Sequence, residues 1–167
     1  MKRLEWFIEA LLNSYAQVFF SNNKWFGTIL MAVTFVDFYV GMYGFFAVST
    51  ALLTGHFLGL YEPNVRQGYY GFNSLLVGVG LSIYFEPGPL LLVLVVISGM
   101  LTVFVALAFE GILGKYGLPF LSIPFILVFW TLRLATRQFE ALGLSERGVY
   151  FLNELYLLGG KNLVDMY

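Results

Sequence analysis

Four ionisable side chains lie within or beside long apolar stretches: Asp37, His56, Glu86 and Glu110. An ionisable group at membrane depth is a candidate for a proton or ion path. Asp37 and His56 are the two that could serve in this way. Each also has a plainer reading, Asp37 as the mark of a turn between crossings and His56 as a residue near a helix end. Glu86 and Glu110 adjoin Pro/Gly turns, which places them at an interface. No nucleophile–base pair, phosphate loop or metal-ligand spacing accompanies these groups, and the Gly-rich stretch 71–80 is no GxGxxG fingerprint. One histidine and no cysteine leave too few ligands for a protein-built zinc site or a disulfide framework. The chemistry within reach is hydrogen bonding by neutral groups, and an enzyme is the least supported class.

Three short segments concentrate those neutral groups. In Gln17-Val18-Phe19-Phe20-Ser21-Asn22-Asn23, a helical backbone would put Gln17 and Phe20 on one face. That pair is either an amide and an aromatic plate beside a pore, or a membrane-interface segment with an ordinary polar cap. In Gly68-Tyr69-Tyr70-Gly71-Phe72-Asn73-Ser74-Leu75-Leu76-Val77-Gly78, Phe72 and Leu76 stand at i and i+4. Gly71, Ser74, Gly78 and Ser82 are small enough for close helix packing, the reading preferred for the glycines. Asn73 is an amide that needs a partner in lipid. In Leu118-Pro119-Phe120-Leu121-Ser122-Ile123-Pro124-Phe125, a helical Pro124 would release the carbonyl of Phe120, next to the Ser122 hydroxyl. The alternative is a simple proline kink at a helix start.

The elements that must position these groups are apolar helices. Of the 167 residues, 59% are hydrophobic and 11% charged, with a mean hydropathy of +0.80. Soluble domains carry about 25% charged residues, and a short chain cannot hide such an excess in its core. The expected fold is therefore an all-α membrane protein. A net charge of −1 gives no electrostatic footprint for nucleic acid. Residues 3–15 read as an amphipathic helix rather than a cleaved leader. A separate short apolar piece follows at 16–21. Residues 25–60 exceed one crossing of about 20 residues and should break near Asp37 or Gly41. A polar loop at 61–68 precedes an apolar stretch at 69–85. A turn at Glu86-Pro87-Gly88-Pro89 leads to a clean span at 90–109, a loop at 111–117 and a last span at 118–135. The expectation is about five transmembrane helices plus a re-entrant half-helix within residues 1–137. Residues 138–167 should form an amphipathic linker. Short, broken apolar segments point to a solute path, because irregular backbone at membrane depth is tolerated only where protein or a cavity covers it. Basic residues cluster near both ends of the bundle, so charge bias does not fix the orientation.

Taken together and in this order, the three segments resemble the urea transporter family. Its "QVxF…NN", "GxxGFNGxLVG" and "LPxxTLPF" patterns are matched by QVFFSNN at 17–23, GYYGFNSLLVG at 68–78 and LPFLSIPF at 118–125. Ser74 stands where the family usually has Gly, and Ser122 where it usually has Thr. The likeness spans about residues 14–135. It implies a passive urea channel made of two inverted halves, with three complete pores in a homotrimer. It also implies roles for single residues. Gln17 is the polar residue at the half-helix start, with Val18 beside it. Phe20 and Phe72 are aromatic plates of a slot, Leu76 is its apolar wall, and Ser122 supplies a hydroxyl of an oxygen ladder.

The chain carries one such half. It is either the first half of a longer protein or one member of a pair of inverted copies. The implied partners are urea or a similar small neutral amide, the lipid bilayer and the missing second half. No cofactor is expected. The location is the plasma or inner membrane, crossed several times. Rival readings are a channel for ammonia, water or short amides, an ion-coupled transporter subunit using Asp37 or His56, and a non-conducting fragment.

Overall fold

The computed structural model describes residues 2–136 together with 142 and 143. Seven α-helices follow one another: α1 Lys2–Gln17, α2 Lys24–Thr34, α3 Phe38–Phe57, α4 Glu62–Arg66, α5 Gly71–Tyr84, α6 Pro89–Leu113 and α7 Ile123–Thr136. A 3-10 turn at Gly114–Tyr116 extends α6. The linker expected at 138–167 lies outside the described residues apart from 142 and 143.

The break in the 25–60 stretch falls at Asp37. Its carboxylate accepts from the backbone N–H of Tyr39 at 3.0 Å and of Val40 at 3.3 Å, which caps α3. Asn23 caps α2 in the same way, through Trp25 N–H and Phe26 N–H. A short side-chain oxygen that satisfies two orphan amides is the reason such residues start helices. His56 sits exposed in the last turn of α3, its ring 5.1 Å from that of Trp6. Both residues thus occupy helix ends.

Three expectations are corrected. Residues 16–21 form no separate half-helix, because α1 runs without interruption to Gln17 and then turns. Gln17 therefore ends a helix instead of starting one, and Phe20 lies in the turn, off any helical face shared with Gln17. The last span begins only at Ile123, which leaves Pro119 outside the helix and Pro124 in its first turn, where its missing N–H would have no intrahelical partner. The carbonyl of Phe120 is accordingly not released, since it accepts from Ile123 N–H at 3.2 Å.

Helices α3 and α6 have the length and apolarity to cross a bilayer, the others being shorter or less apolar. They pack together with α5 in a layer held close by small residues. A Cβ on Gly78 would stand 2.6 Å from the Ala47 Cβ and from the Tyr43 carbonyl oxygen. A Cβ on Gly99 would stand 2.9 Å from the Ala47 carbonyl. The packing reading of the glycines thus holds at Gly78. Ser74 and Ser82 instead use their hydroxyls, on Gly99 O and Val79 O. One core cluster joins α1 with parts of α3, α5 and α6 and with Phe120; a second joins Tyr43, Val77, Leu81, Val95 and Val128.

Candidate functional site

The site is built at three breaks in helical structure. The first is the end of α1. Ser21 N–H bonds to Ala16 O and Phe20 N–H to Gln17 O, the paired bonds of a Schellman cap. The αL position of that cap is Phe20, with φ 55°. The caps after α3, α4 and the 3-10 turn have the same bonds but place Gly59, Gly68 and Gly117 there, with φ between 65° and 78°. A non-glycine αL residue costs about 1–2 kcal/mol. The cap projects the Phe20 side chain outward, where it is 62% exposed. Gln17 is half-buried, and its Oε1 has no hydrogen-bond partner among the described residues.

The second break is the turn before α5. Gly68 lies directly against the α1 backbone at Asn13 and Ser14, and Gly71 against the Ser14 hydroxyl. These contacts seat the start of α5 on α1. Phe72 follows one residue into the helix and is 2% exposed, while Leu76 one turn later is half-buried.

The third break is the run 118–122 ahead of α7, where Leu121 takes φ 46°. Asn73 holds it. The Asn73 amide N–H donates to Leu121 O at 2.9 Å, and its Oδ1 accepts from Phe125 N–H at 3.2 Å. Both ends of this fully buried amide are thereby satisfied, which supplies the partner that an amide in an apolar interior requires. Ser122 lies half-buried in the turn between these two anchors.

Of the six residues expected at the site, Val18, Phe72 and Leu76 meet in one apolar cluster. Gln17, Phe20 and Ser122 are not among its members. The ring of Phe120, which sequence reasoning considered only for its carbonyl, belongs to the cluster as well. It lies nearly parallel to Phe72, at 8° with centroids 6.5 Å apart, and meets Tyr69 edge-on at 4.7 Å. The aromatic directly after Pro119 was the available signal. Also missed was the bond from the Tyr70 hydroxyl to Glu110 Oε2 at 2.7 Å, which ties the turn before α5 to α6. Burial, then this bond to the carboxylate, pushes the Tyr70 phenol up to about 12.

Comparison with known families places the chain. The family described as urea transporter matches residues 8–161, most of the chain. The chain belongs to the urea transporter family. Urea transporters are membrane-embedded carriers of solute rather than enzymes. On α6 the apolar side chains of Val93, Ile97 and Phe104 are exposed. The three segments named from the sequence all lie inside the matched region.

Proposed function

We propose that the chain forms one repeat of a passive urea channel, multi-pass in the cell membrane. The observation that carries this reading, beyond the family, is the buried, unpartnered Oε1 of Gln17, three residues before the exposed ring of Phe20. An orphan buried acceptor costs about 1–3 kcal/mol unless something donates to it. A urea N–H passing the end of α1 would do so. Urea is flat and neutral, with N–H donors at two corners. Aromatic faces can strip water from its plane, and acceptors in sequence can take its N–H groups. In this reading Phe20 and Phe72 are the plates, Leu76 and Val18 the apolar wall, and Gln17 and Ser122 the hydrogen-bonding oxygens. A dry neutral passage rejects ions because nothing in it offsets their dehydration. The shorter helices α2, α5 and α7 line the passage where neighbouring protein covers their ends. A second repeat, or an inverted second copy, supplies the facing set of residues, and three complete pores assemble as a trimer.

Urea influx into proteoliposomes tests the assignment. Ser122→Ala and Phe72→Ala should both slow influx, with Phe72→Leu as the variant that preserves core volume. Wild-type rates in Ser122→Ala and in both Phe72 variants would overturn the pore assignments. An influx that follows a proton or sodium gradient would favour a coupled carrier instead.

A further inference from the structure

A cavity of about 310 Å³ opens between α1 and α4, lined by Glu9, Asn13, Glu62, Pro63, Arg66 and Gln67. This is near the lower limit of small-molecule sites. Asn13 is 7% exposed and spends its amide N–H on the Arg66 carbonyl at 2.8 Å. Its Oδ1 has no donor among the described residues.

The charges around the cavity cancel. Glu9 pairs with Lys24 at 2.6 Å and with Arg66 at 3.6 Å, and Arg66 lies 3.8 Å from Glu62. The hydrogen bond from Lys24 holds the Glu9 carboxyl below its ordinary range, so it stays ionised near neutrality. The lining holds two carboxylates and one cation, and Lys24, outside the lining, pairs with Glu9, so each carboxylate has a cationic partner. What remains is a cavity with acceptors on Asn13 and the two carboxylates and donors on Arg66, with Gln67 at its rim. That pattern suits a small neutral solute that donates several N–H bonds and accepts through one carbonyl.

Asn13 and Gln17 are four residues apart on α1, about 6 Å along its axis, and on the same face. Each presents a buried acceptor without a partner. We infer that the α1–α4 cavity is a second binding site for a urea-class amide, one helical turn before Gln17. The identity of the solute rests on the urea reading above; the site itself is argued from the cavity.

These 167 residues hold no cysteine, so a Gln67→Cys thiol at the rim is the single one among them. The protein in detergent is treated with a neutral thiol reagent at increasing urea, and modification at position 67 is read by peptide mass. Urea should slow modification saturably, whereas tetramethylurea, which keeps the carbonyl but lacks N–H donors, should not. Adding Glu62→Ala, which removes one of the carboxylate acceptors, should raise the half-protecting concentration about threefold to tenfold, the loss of one hydrogen bond. Adding Ser122→Ala should leave protection unchanged, so that failure of the pore assignment can be told apart from failure of this one. Modification that is indifferent to urea, protection by tetramethylurea or by sodium chloride at equal concentration, or protection unaltered by Glu62→Ala would each overturn the inference.

Discussion

Phe20 is the most informative single residue. Among the described residues, four helix ends close with the same pair of backbone bonds, and three of them use glycine where the backbone turns left-handed. Phenylalanine at the fourth is locally unfavourable, and a residue held in a sparsely populated conformation points towards a functional reason. Phe20→Gly should relieve the αL strain and raise the stability of the solubilised protein by about 1 kcal/mol, read as a higher midpoint in thermal unfolding. If Phe20 is a pore plate, urea influx should fall in the same variant. A lower midpoint would show that Phe20 contributes packing the exposed ring does not suggest. Tyr70 makes a second residue-scale prediction. Its phenol is raised from 10.0 to about 12, so the folded state holds the proton more tightly than the unfolded chain. The associated stability is fully present below pH 10 and is lost as pH rises towards about 12. Tyr70→Phe should be less stable than wild type at pH 8, by about 1.5–3 kcal/mol for a hydrogen bond to a charged group. The gap should narrow between those two pH values, which alkaline unfolding of both proteins would show.

At the scale of elements, Asn73 is the joint between α5 and the start of α7. It is bonded to Leu121 O and to Phe125 N–H, and it lies next to the parallel rings of Phe72 and Phe120 in space and sequence. Asn73→Leu keeps the volume but leaves the Leu121 carbonyl and the Phe125 amide without their side-chain partner. A loss of about 1–3 kcal/mol is expected for a buried group left unsatisfied. Proteolysis within 118–122 should become faster while the rest of the chain stays protected. The sequence announced this residue as an amide in need of a partner but not what the partner was, because the two bonds span 48 and 52 residues. The break at Asp37 was legible, since a carboxylate capping two amides is a local event. The end of α1 was not. Ser21-Asn22-Asn23 carries a strong break signal, and the short apolar piece before it suggested a separate element, whereas the backbone continues from Lys2 to Gln17. The prolines of 118–125 were visible as a helix disturbance. Whether Pro124 sat inside a helix or in its first turn depended on where α7 begins, and the long-range anchor at Asn73 marks that place.

At the scale of the whole molecule, the low charge content and apolar spans indicated lipid, and membership of the urea transporter family agrees. The close packing of α5 was legible in its small residues, Gly78 among them, but the partners were not. Gly78 meets Ala47 and Tyr43, and Gly99 meets Ala47, contacts that no local pattern specifies. The outward stripe of α6 gives a prediction for the assembled protein. Nitroxide labels on single cysteines at Ile97 and Phe104 should be relaxed by oxygen, which partitions into lipid. A label at Glu62, in the polar loop, should respond to an aqueous nickel complex. Relaxation of the Ile97 label by nickel would place that face in water and contradict the assignment.

The Asn73 joint also bears on how the protein is made. Its amide enters the growing chain 48 residues before the carbonyl it will bind and 52 before the N–H it will accept. At about 5–20 residues per second, that is a wait of ~3–10 s during synthesis. Throughout that interval α5 carries an unsatisfied polar group, which disfavours its settling into hydrocarbon. The expected order of insertion then differs from the order of translation: α6 should enter the bilayer on its own apolarity, and α5 should be completed only when the start of α7 arrives to close around it, which stepwise truncation of the nascent chain would check.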